Sequence, residues 1–113
     1  MLKTPDFSTV VYKILKYLDE CLKKGNEPNF EVAKDLSKVN DEYFRNAIEE
    51  MERKGLIVHD VFYADNKPYI ESIKITLDGS EYLRENNAMQ KVSRMIDKVF
   101  IPELNLVINI SLI

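Results

Sequence analysis

The spacing of hydrophobic and polar positions predicts three helices in the first half of the chain. Apolar residues recur every three or four positions from residue 7 to 22, from 29 to about 38 and from 40 to 54. This spacing places them on one face of a helix, which then packs inward. The predicted inward positions are Phe7, Val11, Ile14, Leu15, Leu18 and Leu22, then Val32, Ala33 and Leu36, then Phe44, Ala47, Ile48 and Met51.

Capping residues mark the predicted ends of these helices. Thr4 and Pro5 are typical of a helix start, with Asp6 in the first turn, and Gly25 suits a left-handed ending. The second helix begins after Asn29, a common N-cap residue. Asn40 is placed to cap the third helix, which Lys54-Gly55 ends.

Two segments rich in β-branched and aromatic residues follow, at positions 56–63 and 69–76. The four turn-forming residues Asp65-Asn66-Lys67-Pro68 separate them, which predicts a β-hairpin. Thr76 is then placed to cap a helix that runs to about Asn86-Asn87. The predicted fold class is therefore α+β, and the order of elements is that of a winged helix-turn-helix with the hairpin as the wing.

The last quarter of the chain predicts an additional amphipathic helix at 88–100, ended by Pro102, and a strand-like tail. We divide the chain into a winged-helix domain at residues 1–100 and a tail at 101–113. The apolar residues of these two segments either cover the first helix of their own domain or form a dimer interface. We favour a homodimer, because an unpaired terminal strand is a template for a partner strand. The predicted dimerisation residues are Met89, Val92, Met95, Ile96, Leu104, Leu106, Ile108, Ile110 and Leu112.

The composition indicates the size of the hydrophobic core and the compartment in which the protein is found. A chain of 113 residues without a Gly/Ser-rich linker fits one hydrophobic core. Its net charge of −3 provides no general attraction to nucleic acid or to an anionic membrane. The single cysteine excludes an internal disulfide and suits a reducing compartment. The most apolar stretch, at 99–113, is too short to span a bilayer and contains polar residues. We expect a cytoplasmic protein.

Two sequence motifs resemble a known family. The first is Tyr12-Lys13-Ile14-Leu15-Lys16-Tyr17-Leu18 in the first helix. The second is Gly55-Leu56-Ile57 together with Ile75-Thr76-Leu77-Asp78-Gly79-Ser80-Glu81-Tyr82-Leu83-Arg84-Glu85-Asn86 after the hairpin. On these residues, the chain from Tyr12 to about Met89 resembles the YjcQ family, small winged-helix proteins of Gram-positive bacteria and their phages. The resemblance implies a winged-helix fold and a regulatory role, without a defined activity. The strand-like end departs from the helical ending that is more usual in that family.

The residues give little support to an enzyme. His59 is the only histidine and Cys21 the only cysteine, so neither a multi-histidine nor a thiolate metal site can form from them. The three glycines are isolated and form no phosphate-binding loop. We expect a non-enzymatic protein that needs no cofactor and no metal.

The third helix is the candidate surface for DNA, because the second helix of a helix-turn-helix enters the major groove. Arg45 and Asn46 are good readers of base edges, and three lysines nearby are placed to contact phosphates. Against this, residues 41–54 contain five acidic and three basic side chains, a net charge of −2. The predicted DNA contacts are Lys34, Lys38, Tyr43, Arg45, Asn46, Arg53 and Lys67.

Two functions follow from this surface. The fold favours a DNA-binding regulator that contacts double-stranded DNA. The charge of the third helix favours an adaptor that holds an unknown protein partner and makes no DNA contact. The sequence places the regulator first and the adaptor close behind it.

Overall fold

The computed structural model describes residues 6–85, 98–101 and 106–109. In these residues the chain forms four helices and two antiparallel pairs of strands, so it is an α+β protein compatible with a winged helix. No helix among them is long and apolar enough to cross a membrane. The elements are α1 Phe7–Lys24, α2 Phe30–Ser37, α3 Asp41–Arg53, β1 Ile57–Ala64, β2 Lys67–Ile75, α4 Leu77–Glu85, β3 Lys98–Ile101 and β4 Leu106–Asn109.

Helix α1 lies at the centre of the fold. It contacts α2, α3, α4 and β2, and it is buried on almost every side between Val10 and Cys21. The prediction of a single inward face was therefore too narrow, because a helix with neighbours all around it buries its whole circumference. The prediction was wrong at both ends, where Phe7 is 43% exposed and Leu22 is 64% exposed.

The two ends of α1 gave different outcomes. Gly25 has a φ of 70°, and its N–H donates to the Leu22 carbonyl at 3.2 Å, so the left-handed ending is confirmed. At the other end, Asp6 is the N-cap and precedes the first turn, contrary to prediction. Its side chain makes no capping hydrogen bond. Residues 1–5, with the predicted cap, lie outside the described residues.

Both predicted N-caps, of α2 and of α3, are confirmed. The Asn29 side chain accepts a hydrogen bond from the Glu31 N–H at 2.9 Å, and Asn40 accepts one from the Tyr43 N–H at 2.8 Å. The turn between the helices is tight because Lys38 takes a left-handed conformation with φ 57°. These local bonds satisfy N–H groups that the first helical turns leave unpaired.

The end of α3 is joined to the start of α4. Gly55 has a φ of 76°, and the Leu56 N–H donates to the Met51 carbonyl at 2.9 Å, which confirms the predicted ending. The Leu56 carbonyl then accepts from the Thr76 N–H at 3.0 Å. The Thr76 hydroxyl donates to the Gly55 carbonyl at 2.5 Å and accepts from the Gly79 N–H at 3.0 Å, so the predicted cap of α4 is confirmed.

The hairpin differs from its prediction at the turn. Asp65 and Asn66 both have a positive φ, 53° and 62°, which is the pattern of a two-residue type I′ turn. Lys67 and Pro68 belong to β2 and pair with the end of β1, so the predicted four-residue turn was too long. Two residues are enough to connect the strands, because the twist of a type I′ turn matches the twist of the strands that it joins. One register shift places Glu71 as an extra residue in β2.

The C-terminal strands correct two predictions. The predicted helix at 88–100 is wrong at Lys98, Val99 and Phe100, which lie in β3; the remainder of that segment is outside the described residues. A strand in the tail is confirmed for β4, but it pairs with β3 of the same chain rather than standing unpaired. Antiparallel pairing satisfies backbone groups that a free strand leaves open. Outside the described residues lie Met89, Val92, Met95, Ile96, Leu104, Ile110 and Leu112.

Candidate interaction surface around the third helix

The face of α3 that points away from the core is exposed and polar. Phe44, Ala47, Ile48 and Met51 are buried against the rest of the domain. The opposite side of the helix is exposed and carries acidic and basic residues at a spacing of three or four. We define this outward face by its four residues, Glu42, Asn46, Glu49 and Arg53.

Three of the five carboxylates of α3 have partners within the fold. Asp41 forms an ion pair with Lys34 of α2, and Glu50 forms one with Arg53. Glu52 accepts a hydrogen bond from the backbone N–H of His59 in β1 at 3.0 Å. Glu42 and Glu49 have no ion pair or hydrogen bond to another side chain in the described part of the chain. The outward face therefore presents two carboxylates that nothing described neutralises.

Two of the predicted DNA-contacting cations are already engaged. The hydrogen bond and charge of Asp41 raise the pKa of Lys34, so the Lys34 charge is directed to α3. Arg53 pairs with Glu50 one turn away on its own helix. Exposed pairs of this kind are weak and rearrange easily, so the pairing lowers the availability of these cations without removing it.

Tyr43 lies on the side of α3 that faces α1. Its ring packs against Phe7, with ring centroids 6.3 Å apart. Burial raises the pKa of the Tyr43 hydroxyl, and the nearby negative charge of Asp6 raises it further. Because positions 43 and 45 are about 200° apart around a helix, the structure separates Tyr43 from Arg45, and the two cannot read one groove from the same side.

The remaining predicted residues stay exposed. Arg45 and Asn46 lie next to each other in the N-terminal half of α3. Lys38 lies in the turn before the helix, and Lys67 begins β2 at the hairpin turn. Arg45, Asn46 and Lys67 are the part of the predicted DNA surface that is exposed without an ion pair in the described residues, whereas Lys38 is exposed but already has an interaction within the fold.

A groove runs between α2, α3 and the hairpin, and we call it the α3–wing groove. Its volume is about 270 Å³. It brings Arg45 and the Lys34–Asp41 ion pair together with the distal part of β2. The residues that line it are Phe30, Glu31, Lys34, Asp41, Phe44, Arg45, Pro68, Tyr69 and Ile70.

The hairpin carries exposed aromatic residues that the sequence reasoning did not assign to a site. Phe62 and Tyr69 are cross-strand partners whose rings stack with centroids 5.5 Å apart, and both are nearly half exposed. Tyr63 is 73% exposed. Their exposure could have been predicted from the sequence, because they lie close to the turn, where a hairpin extends beyond the core. Exposed aromatic residues at such a place are typical of contact surfaces.

The base of the hairpin is fixed to α3 by Glu52 and His59. One Glu52 oxygen accepts the His59 backbone N–H, and the other lies 3.0 Å from His59 Nδ1 without the alignment of a good hydrogen bond. The His59 side chain is 9% exposed, so this end of the wing is held close to the helix. Within the described residues, no group of three or more His, Cys, Asp and Glu side chains is arranged to hold a metal ion.

Comparison with known proteins places the chain in a family. A family model described as YjcQ protein matches residues 12–99, which is most of the chain and covers α2 to α4 and all but the first five residues of α1. Searches of curated proteins and of solved structures gave no match. The matched range contains both sequence motifs, and the two parts of the second motif meet at the junction of α3 and α4. The protein therefore belongs to the YjcQ family.

Proposed function

We propose that the protein is a non-enzymatic, cytoplasmic winged-helix adaptor that holds another protein on the surface around α3. The element order of three helices, a hairpin and a fourth helix supports the winged-helix fold. The family match is consistent with a small regulatory protein. Because one fold serves many functions, the choice of partner depends on the surface itself.

The outward face of α3 carries this proposal. Glu42 and Glu49 are exposed there without an ion pair in the described part of the chain, and Arg53 is paired with Glu50. A helix that enters the major groove passes between two rows of phosphates. Unpaired carboxylates on the entering face oppose that approach, whereas the polar rim of a protein–protein interface accommodates them.

The number of cations that are available to contact phosphates also favours the adaptor over the DNA regulator. Around the N-terminal half of α3 and the tip of the wing, Arg45 and Lys67 are the exposed cations that have no ion pair within the described residues. Lys54 is also exposed and without an ion pair there, but it lies at the other end of α3, beside α1 and α4. Two phosphate contacts give a salt slope of about −1.8 and a loss of roughly tenfold between 50 and 200 mM salt. Proteins that bind DNA tightly make about 6–10 such contacts and lose about 10³–10⁵ over the same range.

Double-stranded DNA is the second candidate, and one observation favours it. Arg45 and Asn46 are exposed side by side in the first half of α3, the half that meets base edges in a helix-turn-helix. Arg pairs with guanine and Asn with adenine through two hydrogen bonds each. A homodimer would double the contacts, and we retain it as a proposal because the β3–β4 pair has outer edges on which a second copy can add a strand.

A salt-titrated binding experiment separates the two functions. Fluorescence anisotropy is measured with a labelled random duplex for the wild type, for Arg45→Ala and for the double variant Glu42→Gln, Glu49→Gln. The adaptor predicts weak wild-type binding with a slope no steeper than about −2, and stronger binding by the double variant because two repulsive charges are gone. A wild-type slope of about −5 or steeper, reduced by Arg45→Ala, would overturn the adaptor in favour of the DNA regulator.

A further inference from the structure

The α3–wing groove is large enough to accept one side chain of a partner protein. Its volume of about 270 Å³ is below the range of about 300–1,000 Å³ that is usual for small-molecule pockets. It lies between two helices and a hairpin, and its lining alternates apolar and charged groups. A pocket of this size accepts one large side chain from a partner.

The inner part of the groove is apolar. Phe44 is buried in the core, with Phe30 and Ile70 partly buried against it. Pro68 and Tyr69 form the exposed hairpin side. Filling such a surface removes apolar area from water, at about 25 cal/mol for each Å². The complementary group is therefore an aromatic or aliphatic side chain.

The charged residues at the rim of the groove determine which charge a partner can carry next to its apolar side chain. Lys34 and Asp41 neutralise each other. Glu31, exposed in the first turn of α2, has no ion pair in the described part of the chain and makes the α2 side of the groove negative. Arg45, on α3, has no ion pair or hydrogen bond in the described part of the chain. Its guanidinium binds a carboxylate through two parallel hydrogen bonds. Of the α3 residues that line the groove, Arg45 is the one with an unpaired charge, so the complementary charge at that point is negative.

We propose that the α3–wing groove binds a segment of a partner protein in which an apolar side chain is followed by a carboxylate. The apolar group contacts Phe30, Phe44 and Ile70, and the carboxylate pairs with Arg45 beside Tyr69. Arg and Tyr are among the residues that are enriched where binding energy is concentrated at interfaces. This proposal rests on the adaptor function, for which it gives the chemistry of the partner.

Three blocked tetrapeptides test it by titration of the ¹⁵N-labelled full chain in ¹H–¹⁵N correlation spectra. The first contains adjacent phenylalanine and glutamate, the second has glutamine for glutamate, and the third has alanine for phenylalanine. We expect the first to shift the amide signals around the groove, and each of the other two to bind about tenfold more weakly. Arg45→Ala should weaken the first peptide about tenfold and leave the glutamine peptide unchanged. The control variant is Lys74→Ala, which removes an exposed cation of β2 outside the groove.

The outcomes distinguish the groove from the adaptor function. Equal binding of the glutamate and glutamine peptides, or equal effects of Arg45→Ala and Lys74→Ala, would overturn the role of Arg45. Peptide-induced shifts confined to another surface would overturn the groove and leave the adaptor function standing. Salt-dependent shifts of the groove signals by a random duplex, with none from any peptide, would overturn both and favour DNA. Absence of shifts with every probe would also reject the groove.

Discussion

Substituting Gly79 with alanine tests the junction between α3 and α4. Gly79 is buried in the first turn of α4, and its backbone approaches the Leu56 carbonyl at the end of α3. A Cβ atom built at Gly79 lies 2.0 Å from the Leu56 oxygen and 2.9 Å from Cγ1 of Ile75. No side chain fits there unless α4 moves away from α3.

The size of the effect follows from that distance. An ordinary contact begins near 3.4 Å, so the gap to the Leu56 oxygen must widen by about 1.4 Å. The Thr76 N–H donates to the same oxygen at 3.0 Å, and a movement of this size breaks that bond. Overpacking costs about 1–3 kcal/mol and the lost hydrogen bond about 0.5–1.5 kcal/mol. The higher helix propensity of alanine offsets up to about 1 kcal/mol. The expected loss is therefore about 2–3 kcal/mol in the free energy of unfolding.

Urea unfolding followed by circular dichroism measures this loss, and thermal unfolding should show a decrease of about 10 °C in Tm. Gly25→Ala is the matched control, because nothing lies within 4 Å of its Cβ position and only its φ of 70° opposes the change. That strain costs about 1 kcal/mol or slightly more. Gly55→Val, at a φ of 76°, should likewise cost about 1 kcal/mol or more. If Gly79→Ala costs less than Gly25→Ala, the close approach of α4 to Leu56 is refuted.

Three other predictions concern the wing, the core and the tail. Glu52→Ala should speed hydrogen exchange of the His59 amide at least severalfold, since it removes the acceptor of that N–H; unchanged exchange would show that this bond does not hold the wing. Burial raises the pKa of Tyr12 to about 12. The folded state therefore favours the neutral Tyr12 hydroxyl, and the stability that this provides is complete below pH 10 and is lost as the pH rises toward about 12. Tyr12→Phe should make the free energy of unfolding less dependent on pH in this range. Deleting residues 104–113 removes β4 and should convert the proposed dimer to a monomer or an aggregating species; sedimentation of the full chain as a monomer at micromolar concentration would contradict the dimer.

The amino-acid sequence by itself determined the elements of the first three quarters of the chain and most of their ends. Asn29, Asn40 and Thr76 cap their helices as predicted, and Gly25 and Gly55 end theirs with a positive φ. These features involve bonds between residues two to five positions apart, so the local sequence contains all of the information that they need. The hairpin was predicted for the same reason, although its turn is shorter.

Tertiary structure decided what surrounds each element. The sequence predicted one buried face for α1, but its neighbours α2, α3, α4 and β2 bury nearly the whole helix. It also predicted a helix through Phe100, whereas residues 98–101 pair with β4. Short apolar stretches suit either structure, and the choice depends on a partner strand that is distant from any local window.

The candidate site depended on tertiary structure to the greatest extent. Helical spacing correctly left Arg45 and Asn46 off the inward face of α3, and both are exposed. It did not show that Lys34 is paired with Asp41 across two helices, or that Tyr43 packs on α1. The meeting of Arg45 with Tyr69 in one groove joins residues 24 positions apart. A surface charge is fully available to bind a partner only if folding brings no opposite charge within about 4 Å of it. Here that distance depends on how α2, α3 and the wing pack together, and the order of residues along the chain does not show it.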